Sequence, residues 1–205
     1  YGLCGLVSGS DGSAILFRVL TELDKVLDAP MLLSAFDKRD VMRNLLLFNR
    51  LCIDKVAGDI VKSRIDRLRA CLPSPDEAKG RGSRKEIELC QIVVQLLPSG
   101  SQLGGCTVEG NVWLDGCFEA DIVITRVSPD GSKSVFNIEV DGPSHSLPVK
   151  KLLCRRRDQH LHEVCGVRIA NIPLLKPTGE WLQSGEYDVT VREVLQRLQL
   201  LPPTA

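Results

Sequence analysis

The chain has 205 residues, and its 26 Lys and Arg residues balance 26 Asp and Glu residues, so its formal net charge is zero. This balance excludes a polybasic nucleic-acid binder but leaves room for a local basic surface. A hydrophobic content of 43% excludes a disordered tail. No apolar run is long enough to cross a bilayer, so we expect no membrane partner. The first residue is Tyr rather than Met, and we therefore expect a fragment or processed form from which any targeting peptide is missing.

The first part of the chain is predicted to be entirely helical. Apolar residues recur at helical spacing over residues 14–27, 40–51 and 54–72. The third of these helices mixes Lys and Arg with Asp, which is typical either of a solvated face or of a face that contacts phosphates. A segment rich in Pro, Gly and charged residues follows at 73–82. We therefore predict a helical segment with a linker over residues 1–80 and a second domain over residues 81–205.

The second part is predicted to mix strands and helices. Ser83 followed by Glu86 forms a capping box that starts a helix, and Pro98 stops it. Pro129-Asp130-Gly131 predicts a hairpin turn. Strands are predicted at 106–109, 111–114, 118–125, 134–140 and 167–172, the last as an inner strand, and helices at 148–165 and 188–200. This order indicates an α/β fold with helices packed on a sheet.

Cysteine and histidine spacing argues against a zinc site. The chain has eight cysteines, and none of them forms a CxxC pair. A chain of this length does not need disulfide bonds to stabilise its core, so we expect free thiols in a reducing compartment. His160 and His162 are two residues apart on a predicted helix and face different directions. We interpret them as solvated or capping histidines.

Carboxylates lie within or at the ends of the apolar runs FEADIVI and FNIEVDGPSH. Burying a charged carboxylate is costly without a partner. Asp121 and Glu139 on neighbouring strands are suitable oxygen ligands for one hard divalent cation, which would activate water for phosphodiester cleavage with His145 as a proton carrier. The structural alternatives are a strand-ending turn at Asp141, hydrogen bonds from backbone amides to Asp121, and an ion pair of Glu139 with Arg155 or Arg156, neighbours in one basic run. Spacing alone leaves these alternatives open.

The run from Ser83 to Trp181 resembles the RAP domain, a module of organellar RNA-processing proteins. The resemblance rests on the helix SRKEIELCQIVVQLL, the strand ADIVI, the signature IEVDGPSH at 138–145 and the Lys/Arg-rich helix Lys150–Cys165. Gly166, the strand VRIANIP and Glu180-Trp181 follow in the same order. These motifs span about half of the chain and do not include residues 1–80.

The resemblance implies a restriction-endonuclease-like mixed sheet flanked by helices, preceded by a small all-α segment. RAP domains are similar to the PD-(D/E)XK nucleases, and on that analogy Asp121 and Glu139 match the two metal-binding acids. Asp141 stands where the nuclease pattern has Lys. A cation at that position stabilises the attacking hydroxide and the developing phosphorane charge, and Asp reverses the local charge. We therefore favour no catalytic residues, no metal and no cofactor.

The resemblance and the charge balance together predict a non-catalytic RNA-binding protein of the mitochondrial matrix, or of another organelle. Its partners would be organellar rRNA or a transcript and the other proteins of a ribonucleoprotein such as the mitochondrial ribosome. The predicted RNA contacts are Lys150, Lys151, Arg155, Arg156, Arg157 and His145.

Two alternatives accompany this prediction. The first is a ribonuclease dependent on Mg²⁺ or Mn²⁺, with Asp121, Glu139, Asp141 and His145 in its active site and the metal on Asp121 and Glu139. The second is a protein–protein scaffold in which the RNA groove is vestigial.

Overall fold

The computed structural model describes residues 34–49, 55–72, 82–97 and 105–203, together with individual positions between 18 and 28. The chain divides into two compact units, the first comprising Tyr1–Ala78 with Gly116–Phe118 and the second Lys79–Asp115 with Glu119–Ala205. Within the predicted helix 14–27, the structure describes residues 18, 20–22, 24 and 25, and all of these are helical. Most of the predicted linker, residues 73–81, lies outside the described residues.

Two helices of the first unit are described from end to end, α1 (Ala35–Asn49) and α2 (Lys55–Ala70), and they pack against each other. Their buried apolar residues are Met42, Leu45, Val61, Ile65 and Leu68. Arg64 and Arg67 of α2 both pair with Asp24, the latter at 3.1 Å between Nη1 and Oδ1. These two basic residues are therefore engaged by a carboxylate of the same unit, which favours the structural interpretation of the basic residues on this helix over phosphate contacts.

In the described part of the chain, the second unit combines a four-stranded sheet with three α-helices. Its elements are α3 (Arg84–Leu96), β1 (Gly105–Leu114), β2 (Phe118–Val127), β3 (Lys133–Asp141), a 3-10 turn (Pro143–Ser146), α4 (Pro148–Cys165), β4 (Arg168–Pro173), a second 3-10 turn (Ser184–Glu186) and α5 (Tyr187–Arg197). The strand order is β1-β2-β3-β4, with β2 antiparallel to β3 and β3 parallel to β4. The predicted α/β class is thereby confirmed as a mixed sheet flanked by helices.

Local signals in the sequence set several of these boundaries. The capping box is formed, since the Ser83 hydroxyl accepts from Glu86 N at 3.3 Å and the Glu86 carboxylate accepts from Ser83 N at 2.8 Å. Gly131 adopts φ +82° in the turn between β2 and β3, a conformation that favours glycine. Gly166 ends α4 at φ +67°, as expected for a glycine at a helix C-terminus.

Two strand predictions need correction. Residues 105–114 form one strand rather than two, because Asn111 takes up φ +53° without ending it, and Asn tolerates this left-handed region better than most residues. The strand predicted as inner, β4, lies at one edge of the sheet formed by the described residues. Its burial pattern agrees, since Ile172 alone among its residues is buried.

The main core lies between one face of the sheet and helices α3 and α5. Alternate residues of β2 and β3 point into it, notably Ile122, Ile124, Phe136 and Ile138. The opposite face of β3 therefore carries the residues between them, which include the carboxylates singled out in the sequence.

The cysteines in the described part of the chain, at 71, 90, 106, 117, 154 and 165, are thiols rather than members of disulfide bonds. Among the described residues, no helix combines the length and apolar character needed to cross a membrane.

Candidate functional site

A strip of polar side chains runs along the face of β3 that turns away from the main core. Asn137, Glu139 and Asp141 occupy every second position, so they share this face. Asn137 is fully buried and Glu139 is 2% exposed. Buried polar groups in a strand need partners, because desolvation without a hydrogen bond is costly. Glu139 finds its partners in Asn137 of the same strand and in Arg157 of α4, whereas Asn137 Oδ1 accepts no hydrogen bond among the described residues.

Asp121 of β2 lies beside Glu139. The antiparallel register pairs Ile122 with Ile138, which places Asp121 at the next position along, and its Oδ2 accepts a hydrogen bond from Val140 N at 2.7 Å. Burial, and after it the nearby charge of Glu139, raise the pKa of Asp121 to about 7, while the Val140 hydrogen bond opposes the shift. The two acids predicted to meet at this point of the sheet do so.

Glu139 is bound on both carboxylate oxygens. Its Oε1 accepts from Asn137 Nδ2 at 2.6 Å, and its Oε2 accepts from Arg157 Nη1 at 2.7 Å. Burial raises the pKa of Glu139 above its ordinary value, although Arg157 and Asn137 oppose this. The positive charge next to the Glu139 carboxylate is therefore the guanidinium of Arg157 on α4.

Arg157 is itself an interior residue, with its side chain 15% exposed. Its Nε donates a hydrogen bond to Asp158 Oδ1 at 2.9 Å, while its Nη1 donates to Glu139 Oε2. Burial lowers the pKa of Arg157, but the two carboxylates outweigh burial and the net shift is upward. Arg157 was predicted to contact RNA phosphates, and its guanidinium is instead directed at two protein carboxylates. The alternative in which Glu139 pairs with Arg155 or Arg156 had the correct partner type but not the correct residue.

Asp141 and His145 meet at the end of β3. Asp141 Oδ1 lies 2.8 Å from His145 Nδ1, and Asp141 Oδ2 accepts from Asn171 Nδ2 at 2.7 Å. Cys154 Sγ lies 3.7 Å from the same Nδ1. Because carboxylate and thiol approach one nitrogen, the histidine does not link them as the base of a nucleophilic triad would. Burial also raises the pKa of the Cys154 thiol, which disfavours the reactive thiolate.

The other predicted RNA contacts lie on the surface of α4. Lys150, Lys151 and Arg155 are exposed and Arg156 is half-buried. Within the described part of the chain, none of these four side chains forms an ion pair with a carboxylate. Leu147, Val149 and Leu152 are also exposed, at 49–56%. The first half of α4 therefore presents a mixed basic and aliphatic surface, hereafter the basic surface (Lys150, Lys151, Arg155 and Arg156).

A third cluster was missed by the sequence reasoning. Asp115, His160 and Cys165 place potential ligand atoms within 4.8 Å of one another. His160 is 2% exposed and lies 3.0 Å from Asp115 Oδ2 through Nε2, so its interpretation as a solvated or capping histidine is wrong. His162 fits that interpretation, since its Nδ1 lies 3.3 Å from Val167 O beyond the end of α4. Asp115 lies 45 residues before His160, and nothing in the sequence connects the two.

Comparisons with protein-family models, curated proteins and solved structures gave no match for this chain.

Proposed function

We propose that this chain is a non-catalytic RNA-binding protein of the RAP type, working in the mitochondrial matrix as part of a ribonucleoprotein such as the mitochondrial ribosome. The proposal includes a restriction-endonuclease-like RAP domain over residues 81–205. The observation that carries RNA binding is the basic surface on α4, whose four cationic side chains have no carboxylate partner among the described residues. Unpaired exposed cations attract phosphates and release counterions when they bind. The RAP resemblance and its signature IEVDGPSH support the organellar setting.

The absence of catalysis is proposed from the chemistry around Glu139. In a metal-dependent nuclease this carboxylate binds a divalent cation, whereas here its Oε2 accepts from Arg157 at 2.7 Å. A metal ion would have to displace a buried, hydrogen-bonded guanidinium. Asp141, at the position of the nuclease lysine, adds negative charge where the transition state also develops negative charge. Both features oppose phosphodiester cleavage.

A divalent-metal ribonuclease remains the second candidate because Asp121 and Glu139 lie side by side. Two adjacent carboxylates are the ligand type that Mg²⁺ and Mn²⁺ prefer. The raised pKa of Asp121, about 7, is also a common property of functional sites. His145 at the end of β3 would be the nearby proton carrier in that case.

RNA binding is tested with two double variants that remove the same charge. Lys150→Gln/Arg155→Gln alters the basic surface, whereas Lys133→Gln/Arg197→Gln removes two exposed cations at the start of β3 and the end of α5. Fluorescence anisotropy with a labelled single-stranded RNA is recorded over a series of salt concentrations. We expect the first variant to lower affinity at least about tenfold and to reduce the slope of log K against log salt by roughly 1.4.

The matched variant should bind like the wild type. Equal losses in both variants would mean that total charge rather than the basic surface governs binding. Unchanged binding in the first variant would refute the RNA contact and favour the scaffold alternative.

Catalysis is tested by incubating the protein with end-labelled RNA and Mg²⁺ or Mn²⁺. We expect no cleavage above that of a sample with chelator. Cleavage that disappears in both Asp121→Ala and Glu139→Ala would establish the ribonuclease instead.

A further inference from the structure

The cluster missed by the sequence reasoning joins two elements that are distant in the chain. Asp115 lies in the turn after β1, whereas His160 and Cys165 lie in the last turns of α4. One oxygen, one imidazole nitrogen and one sulfur converge within 4.8 Å of one another. His160, the central member, is 3% exposed at its side chain, while Cys165 is exposed to solvent. The cluster therefore has a fixed inner side and an accessible outer side.

The spacing of these atoms is close to that of a tetrahedral metal site. With metal–nitrogen and metal–oxygen bonds of about 2.0 Å and a metal–sulfur bond of about 2.3 Å, tetrahedral angles separate the ligand atoms by roughly 3.3–3.6 Å. The separation of His160 Nε2 and Asp115 Oδ2 is 3.0 Å, slightly shorter than this range. The 4.8 Å upper limit for the set leaves at most a small movement for the exposed thiol, which rotation about its χ1 angle provides.

The type of donor selects the class of metal. Thiolate and imidazole prefer borderline transition metals, whereas Mg²⁺ and Ca²⁺ prefer oxygen ligands alone. Cys165 is also the last residue of α4, and the negative end of a helix dipole favours a cation at that place.

We propose that Asp115, His160 and Cys165 bind one Zn²⁺ ion, with water in the fourth coordination position. Binding releases the thiol proton of Cys165 to solvent, and the neutral His160 ring keeps its one N–H proton on Nδ1 while the Nε2 lone pair binds the ion. The ion attaches the turn after β1 to the end of α4 and so fixes the C-terminal half of the helix that carries the basic surface. This site shares no residue with the Asp121 and Glu139 pair, and its metal binding does not depend on RNA binding.

The test uses the whole chain, freed of metal by chelator and then titrated with Co²⁺ as a spectroscopic probe for the zinc site. We expect saturation at one equivalent, with thiolate-to-Co²⁺ charge-transfer absorption in the near ultraviolet and displacement by Zn²⁺ but not by Mg²⁺. Cys165→Ser is the main variant, because an exposed side chain can be changed without disturbing the core. It should abolish the charge-transfer band and weaken Zn²⁺ binding at least about tenfold.

Cys71→Ser is the matched control, since the Cys71 thiol is also exposed but lies outside the cluster. It should retain the band and the affinity. Asp115→Asn, a second variant of the cluster, should weaken binding while leaving the band in place at saturating Co²⁺. Absence of saturable Co²⁺ binding, or a band that survives in Cys165→Ser, would refute the site and leave a hydrogen bond between Asp115 and His160 as the whole of its role.

Discussion

The ion pair between Arg157 and Glu139 offers the most direct test of the site. Both side chains are removed from solvent, at 15% and 3% exposure, and 2.7 Å separates Nη1 from Oε2. Replacing Arg157 by Met keeps much of the volume but leaves Glu139 charged without its cation. Removing one member of a buried pair typically costs about 3–5 kcal/mol. Because Asn137 still donates to Oε1, we expect a loss near the lower end, about 3 kcal/mol.

A double variant distinguishes the effect of the uncompensated charge on stability from the effect of altered packing. In Arg157→Met/Glu139→Gln no charge remains to be compensated, and the amide oxygen of Gln can still accept from Asn137. Replacing a buried pair by neutral groups of similar volume is often close to neutral. We therefore expect the double variant to recover all but about 1 kcal/mol of the wild-type stability.

The pH dependence of the single variant gives an independent check. The pKa of Glu139 is already above its ordinary value in the folded protein, and loss of Arg157 raises it further. A carboxyl group with a raised folded pKa contributes stability that is complete below its unfolded pKa and is lost as the pH rises through the folded pKa. The defect of Arg157→Met should therefore be small near pH 4 and grow towards pH 8.

Urea unfolding followed by tryptophan fluorescence is the suitable assay. The chain has two tryptophans, and both Trp113 and Trp181 belong to the second unit, so the signal reports on the unit that contains the pair. Arg192→Met is the matched control, because Arg192 pairs with Asp188 on the surface of α5 at 48% and 53% exposure. It should cost less than about 0.5 kcal/mol. A cost below about 1 kcal/mol for Arg157→Met, with no recovery in the double variant, would refute the buried pair.

Two further predictions concern the same unit. The pKa of Asp121 rises from about 4 in the unfolded chain to about 7 in the folded protein, so this group lowers the free energy of unfolding by roughly 2–3 kcal/mol as the pH rises from 5 to 8. In urea unfolding at both pH values, the stability of Asp121→Asn should therefore change less with pH by that amount. An unchanged pH profile would contradict the burial of this carboxyl group. Ser83→Ala removes the hydroxyl that accepts a hydrogen bond from Glu86 N, and it should lower the free energy of unfolding by about 1 kcal/mol at any pH in that range. Ser83→Asp, which retains a capping oxygen, should remain near wild-type stability.

Features encoded within a few residues were predicted well from the sequence. The capping box needs only Ser83 and Glu86, and Gly131 and Gly166 supply backbone conformations that glycine favours. The meeting of Asp121 and Glu139 was also predictable, because consecutive strands joined by a tight hairpin are neighbours in a sheet. In each case the signal and its consequence lie close together in the chain.

The orientation of α4 could not be predicted because it contradicts the hydrophobic pattern of that helix. Val149, Leu152 and Val164 are exposed at 49–63%, whereas Arg157, His160 and Leu161 turn inwards. A helix normally buries its apolar stripe, but here the sheet face beneath it carries buried carboxylates. Charge compensation across that interface therefore sets which residues of α4 turn inwards. This orientation directs Arg157 away from the basic surface and brings His160 to Asp115.

The same orientation separates two roles within one helix. The carboxylate Glu139 is satisfied from inside the unit by Arg157 and Asn137, so it offers little to a ligand. Lys150 and Arg155 face outwards without a carboxylate partner among the described residues, and an exposed cation gains more from a phosphate than a cation already paired with protein. Substitutions at the inner pair should therefore change stability and leave RNA affinity in place, whereas substitutions on the basic surface should do the reverse. A protein whose RNA affinity depended on Arg157 beyond its effect on folding would break this separation, and with it the argument that the interior carboxylates are structural.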